Sequence, residues 1–289
     1  MSDDVHALVQ DLLPVLVPTA SFDPSGEVSV ALTGDDRLRF STRSLVDWCR
    51  EHPHTQWPQA VDQWLRQMQQ QAVTSPTPRS LEGLGPQLRA RMVPRMEPEL
   101  APAVVHRSFT EELDLCLTVD YPALMMRVTT AMLSDGDDQA ALLTQAITNT
   151  VTHELTGLDD QVHAVGPLDR VRLLAADDNS YVATGLMIVH HLEPAPLPYG
   201  ALVAAPSGST LLIYRVETER AVGFSVVFRQ MVASLFRDAP DPLSTAVYWW
   251  LEGVLHRIDF EPTDDPSRPT VLLSPALEAI VARLPVQPS

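Results

Sequence analysis

An α+β fold of repeated strand–strand–helix units, with mostly antiparallel sheets, is what this chain predicts, and two observations carry that reading. Short apolar runs come in pairs joined by Gly-containing turns, as in Ala201–Ala205, Ser207-Gly208-Ser209 and Thr210–Tyr214, which is the pattern of a β-hairpin. The pair is followed by apolar residues spaced by three and four, here Phe224, Val227, Phe228, Met231, Val232, Leu235 and Phe236, the mark of a helix with one buried stripe. A doubly wound parallel sheet would need a helix between successive strands, and here strands arrive two at a time.

The elements follow in order. Val5, Leu8, Val9, Leu12 and Leu13 share one helical face, and Pro14 ends that helix. Asp23-Pro24-Ser25-Gly26 turns the chain into a strand at 27–32, and Gly34-Asp35-Asp36 turns it again into Arg37–Phe40. Ser41 or Thr42 can cap a helix holding Leu45, Val46, Trp48 and Cys49, and a further helix over 60–71 carries Val61, Trp64, Leu65 and Met68. Residues 1–73 form an N-terminal unit, closed by the Pro-rich linker 74–83 with its run Thr74-Ser75-Pro76-Thr77-Pro78. A central unit over 84–165 opens with a helix from Leu84 to Val93, stopped by Pro94. Strands at 104–109, 113–119 and 124–128 come next, then an Asp135–Asp138 turn and a long helix over 139–155. The C-terminal unit, 166–289, holds a strand at 170–175, a short helix within 180–191 and the opening hairpin and helix. A second hairpin, 245–251 with 254–260, turns at Glu252-Gly253, and a last helix spans 274–284.

Composition narrows the function. With 289 residues, 45% of them hydrophobic and 20% charged, the chain can bury a sizeable core and is not disordered. Its net charge of -17 argues against nucleic acid and against anionic lipid. All 20 basic residues are Arg, which excludes a Schiff-base Lys, a P-loop Lys and a kinase-type Lys. The acidic start lacks the order of a signal peptide, and no apolar run is long enough to cross a bilayer. The expected place is the cytoplasm. Cys49 and Cys116, each inside an apolar segment, read as packed small hydrophobes.

Several runs invite chemistry. Thr152-His153-Glu154-Leu155-Thr156-Gly157 begins like a zincin helix, with His163 ten residues after His153, but Gly157 stands where the second His ligand belongs. It reads better as a helix end with a Gly cap. His190-His191 with Glu193 is a poor chelate, because adjacent side chains point apart. The acidic pairs Asp35-Asp36, Asp137-Asp138, Asp159-Asp160, Asp177-Asp178 and Asp264-Asp265 read as turn and cap residues. No catalytic residue, metal ligand or cofactor site emerges. Two features suggest contact with a partner instead. Arg79, Arg89, Arg91 and Arg95 cluster in an acidic chain and either pair with Glu82, Glu97 and Glu99 or with another unit of the chain, or receive an anion or acidic partner. Trp249-Trp250 places Tyr248 and Trp250 on one strand face and Val247, Trp249 and Leu251 on the other. One face is core, and the other needs a helix, a subunit or a partner.

With these residues in place, the chain resembles the YtpQ-type family of uncharacterised bacterial proteins. The likeness lies in Leu113–Asp120, in Ala201–Leu212 and in the phrase from Leu88 to Pro94. Ser207-Gly208-Ser209 stands where that family has Arg-Asp. The resemblance implies a fold and carries no catalytic residue. The expected function is a non-catalytic protein-interaction or adaptor module, with Tyr248, Trp250, Arg89, Arg91 and Arg95 as its contact residues. The alternatives are a hydrolase with a site assembled from dispersed His, Asp and Arg, which would need residues such as His153, His163, His190 or His191 to converge in a cleft, and a structural homo-oligomer.

Overall fold

The computed structural model describes residues 2–23, 27–31, 37–74, 80–121, 124–176, 179–263 and 269–286. All but the first residue of the Thr74–Pro78 linker, most of the Asp23–Gly26 turn, and the pairs Asp35-Asp36, Asp177-Asp178 and Asp264-Asp265 lie outside them. Antiparallel sheets and helices make up an α+β chain. It divides into two compact units, one of residues 1–79 with 121–126 and one of residues 80–120 with 127–289. The stretches 84–165 and 166–289, read from the sequence as two units, belong almost entirely to the second.

The first unit begins with α1 (Ser2–Leu16), which runs through Pro14 rather than ending before it. The face that buries Val5, Val9 and Leu13 continues to Val17, and the Val17 amide still reaches the Leu13 carbonyl (2.8 Å). Apolar packing outweighs the single amide proton that proline lacks. Strands β1 (Ala20–Asp23), β2 (Glu27–Ala31) and β3 (Arg37–Ser41) form an antiparallel meander. Two helices follow, α2 (Arg43–Glu51) and α3 (Trp57–Thr74), joined through a 3-10 turn at His54–Gln56. Thr42 sits at the N-cap of α2 without capping it through its side chain; its hydroxyl bonds instead with His6 Nε2 (3.1 Å). Val5, Val9, Val28, Phe40, Cys49, Val61, Leu65 and Met68 fill one apolar core.

In the second unit, β4 (Leu88–Pro94) overturns the helix expected over 84–93. Leu88, Ala90 and Met92 are buried while Arg89 and Arg91 alternate with them, a period of two that fits a half-buried strand. The i, i+4 pair Leu88 and Met92 mimics a helical stripe. Strands β5 (His106–Ser108) and β4 flank β6 (Leu113–Tyr121), and β7 (Leu124–Arg127), of which only Arg127 is counted in the second unit, follows in the chain. Helix α4 (Gln139–His153) starts where Asp138 accepts from the Ala140 amide (2.9 Å). The helix lies on β4, and Thr150 Oγ1 accepts from the buried Ala90 amide (2.8 Å).

The remaining strands are β8 (Asp159–Val165), β9 (Asp169–Ala175), β10 (Ala201–Ser207), β11 (Thr210–Arg215), β12 (Val247–Leu251), β13 (Val254–Glu261) and β14 (Thr270–Leu272). With them come the helices α5 (Val189–Leu192), α6 (Arg220–Asp238) and α7 (Pro275–Val281). Spatial order is β14-β13-β12-β10-β11-β9-β8, antiparallel throughout. Hairpin followed by helix recurs as β10–β11–α6 and as β12–β13–β14–α7. Glu252 and Gly253 both take positive φ (49° and 87°), as the tight two-residue hairpin turn demands. One face of the sheet, with Leu202, Leu212, Val247 and Trp249, packs in one cluster with Phe224, Phe228 and Val232 of α6 and Leu277 of α7. Toward the other face, a 3-10 segment (Val182–Met187) with Tyr181 joins this sheet to β4 and β6: Thr184 Oγ1 donates to the Ala90 carbonyl (3.1 Å), and the Tyr181 and Thr118 hydroxyls meet at 3.4 Å.

Candidate functional site

The first unit carries an open groove of about 420 Å³ between α2 and α3, within the size range of ligand-binding clefts. Its polar lining consists of Gln56, Gln59, Gln63 and Gln67, and its aromatic lining of Trp48 and Trp64, with Leu45 and Ala60 completing it. None of these residues is charged.

Local structure puts them there. Val61, Leu65 and Met68 form the buried stripe of α3, so Gln59, Gln63 and Gln67, at four-residue steps, share a different, exposed face. Trp64 borders the stripe and is half-buried. On α2, Leu45, Val46 and Cys49 turn inward and leave Trp48 38% exposed. Two stacks hold the aromatic side chains in place. The Trp48 and His52 rings lie 3.7 Å apart and nearly parallel, and His52 Nδ1 donates to the Trp48 carbonyl (2.8 Å). His54 stacks on Trp57 at 3.7 Å, and the Trp57 indole donates to the His52 carbonyl (3.0 Å). Among the described residues, the four Gln side chains and the indole N–H groups of Trp48 and Trp64 have no hydrogen-bond partner within the chain. The nearby charges cancel: Arg66 pairs with Asp62 (2.8 Å) and holds its carboxyl below the ordinary range.

A second, smaller pocket of about 300 Å³ in the other unit is lined by His190, Glu193, Pro194, Pro196, Trp250 and Glu252, among others. The His190 ring lies parallel to that of Trp250 at 5.9 Å, and the His190 and His191 rings are 3.9 Å apart. The tight turn of α5 therefore brings the two imidazoles together where adjacent positions were expected to diverge. Glu193 accepts from Arg172 and Arg215 (3.0 Å each) and is buried. Its charge is neutralised within the fold.

The contact residues expected from the sequence lie elsewhere. Tyr248 is 2% exposed and Trp250 6%. The Tyr248 hydroxyl donates to Glu112 (2.6 Å) and bonds with Thr110 (2.9 Å). Both faces of β12 are thus covered within the second unit. Arg89 donates to Glu154 (2.7 Å), and Arg95 to the buried Asp114 (3.0 Å). Arg91 is half-buried beside Asp241 and Tyr181. Arg89 and Arg95 thus find partners within the fold, at Glu154 and Asp114 rather than at Glu82, Glu97 or Glu99.

Of the zincin-like run, Glu154 is taken by Arg89, Gly157 adopts φ +70°, and His163 lies on the exposed strand β8. Among the described residues, no three His, Cys, Asp or Glu are grouped to hold a metal ion. Asp137 and Asp138 do serve a turn and a cap, but Asp159 and Asp160 belong to β8, where Asp160 pairs with Arg172 (2.7 Å). Cys49 and Cys116 are both free and buried, and burial pushes the Cys116 thiol up to about 11.

The groove has no distinct apolar pattern in the sequence, because Trp48 and Trp64 fall among the apolar residues of α2 and α3. Its one signal in the sequence is the spacing of Gln56, Gln59, Gln63 and Gln67, which places uncharged amides along a helix beside two tryptophans. No family model matches the chain, and no curated protein or solved structure matches it either. No helix among the described residues is long and apolar enough to cross a membrane.

Proposed function

We propose that the chain is a protein-interaction module that docks its partner in the groove between α2 and α3. A single observation carries this reading: the stacked, solvent-open Trp48 stands beside Trp64 and four glutamines with unused hydrogen bonds. Tryptophan side chains that line a pocket are enriched among binding hot spots. An indole locked by a neighbouring ring loses little entropy when a ligand covers it. Free amides around it supply direction without the desolvation cost of charge.

The test is an affinity capture with wild type, Trp48→Ala and Gln63→Ala, with light scattering on the same samples. A partner held by wild type and lost by both variants supports the reading. Capture indifferent to both overturns it. A mass that falls from dimer to monomer in the variants would make a second copy of the chain the occupant.

A further inference from the structure

Resting on the reading of the groove as a docking site, we infer that its ligand is an uncharged, proline-rich segment in the polyproline II conformation. The groove presents no charge in a chain of net charge -17, so its electrostatics complement a neutral ligand. An acidic ligand would meet the repulsion of the whole protein, and a basic one would find no carboxylate in the lining.

Hydrogen-bond supply narrows the class further. Among the described residues, two indole N–H groups and four primary amides find no hydrogen-bond partner; the indoles only donate while each amide both donates and accepts, so donor groups outnumber acceptor groups in the lining. Most peptides bring an N–H for every carbonyl. Proline brings none, and polyproline II leaves each carbonyl free of internal bonds. A proline-rich segment is thus almost purely an acceptor, matched to the indole and amide N–H groups of the lining. Its pyrrolidine rings pack against aromatic side chains such as those of Trp48 and Trp64, the recurrent mode for this conformation. Length agrees as well. From Gln59 to Gln67 the helix advances about 12 Å at 1.5 Å per residue, which about four residues of polyproline II span at 3.1 Å each.

The test is fluorescence anisotropy of a labelled short polyproline peptide titrated with the full chain. A labelled Gly-Ser peptide and a neutral glucan oligosaccharide serve as the other arms, and each is repeated with Trp48→Ala and Gln63→Ala. The inference expects polyproline to bind, Gly-Ser not to, and each variant to weaken polyproline binding about tenfold. Because both side chains are exposed, circular dichroism of the variants should match wild type. Polyproline binding that ignores both variants would overturn it, as would binding of the oligosaccharide instead. If no peptide binds while capture still depends on Trp48, the ligand class falls and the docking site stands. If neither occurs, both fall.

Discussion

Trp249 has no exposed surface and gives its indole N–H to the Tyr199 carbonyl (2.8 Å). Trp48 keeps 38% of its surface open and gives its N–H to none of the described residues. Trp250, 6% exposed, lies beneath His190, whereas Trp64 borders an open groove. The two pairs show what separates a tryptophan that builds a fold from one free to meet a ligand. A central strand buries both of its faces when layers lie on each side, so every side chain of β12 but the last is consumed by packing. A surface helix buries one stripe only, and a tryptophan beside that stripe stays available.

Substitutions can break this comparison, the largest effect first. Trp249→Ala removes a fully buried indole and should cost about 3–5 kcal/mol in denaturant unfolding, whereas Trp48→Ala should stay within about 0.5 kcal/mol of wild type. Equal costs would erase the distinction. Gly200 belongs to the same packed region. It takes φ +80°, and a Cβ there would run into the Trp250 carbonyl and the Trp249 indole. Gly200→Ala should therefore destabilise by more than about 1 kcal/mol, while Gly83→Ala, with φ +76° but open space around it, should cost less. Glu193→Gln takes the charge from a buried carboxylate held by Arg172 and Arg215. A loss of about 2 kcal/mol is expected, below the full value for a sealed ion pair because Arg215 keeps solvent.

Smaller effects sharpen the picture. Burial, with the nearby Glu154 charge, raises the Asp120 carboxyl above its ordinary range. Its folded pKa therefore exceeds its unfolded one, so ionisation costs stability at neutral pH, and the cost disappears as pH falls through the folded value. Asp120→Asn should stabilise by a few tenths of a kcal/mol at pH 7 and flatten that part of the pH profile; a destabilised variant would contradict the assignment. A thiol reagent at pH 8 should leave Cys116 untouched in the native chain, given a pKa of about 11, and modify it once denaturant opens the core.

How far the sequence could be read depended on whether burial left a periodic trace. The hairpin of β10 and β11 and the helix α6 were legible because one apolar pattern served one structure. Leu88–Pro94 was not, since Leu88 and Met92 satisfy both a helical and a strand spacing, and only the alternating Arg89 and Arg91 favour the strand. Strand β8 left no trace, because six of its seven residues are exposed and the last is half-buried; its backbone ladder with β9 and the Asp160–Arg172 pair hold it. Tyr248 and Trp250 looked like contact residues because a strand pattern does not reveal a second layer. The groove leaves no such pattern for the converse reason, since it forms between two helices whose buried stripes face the core.

The most direct test sets ligand capture beside thermal unfolding in Trp48→Ala. Capture lost at an unchanged melting temperature is the predicted result. Capture retained, or lost only together with a collapse in melting temperature, would contradict the assignment of the groove between α2 and α3 as the docking site.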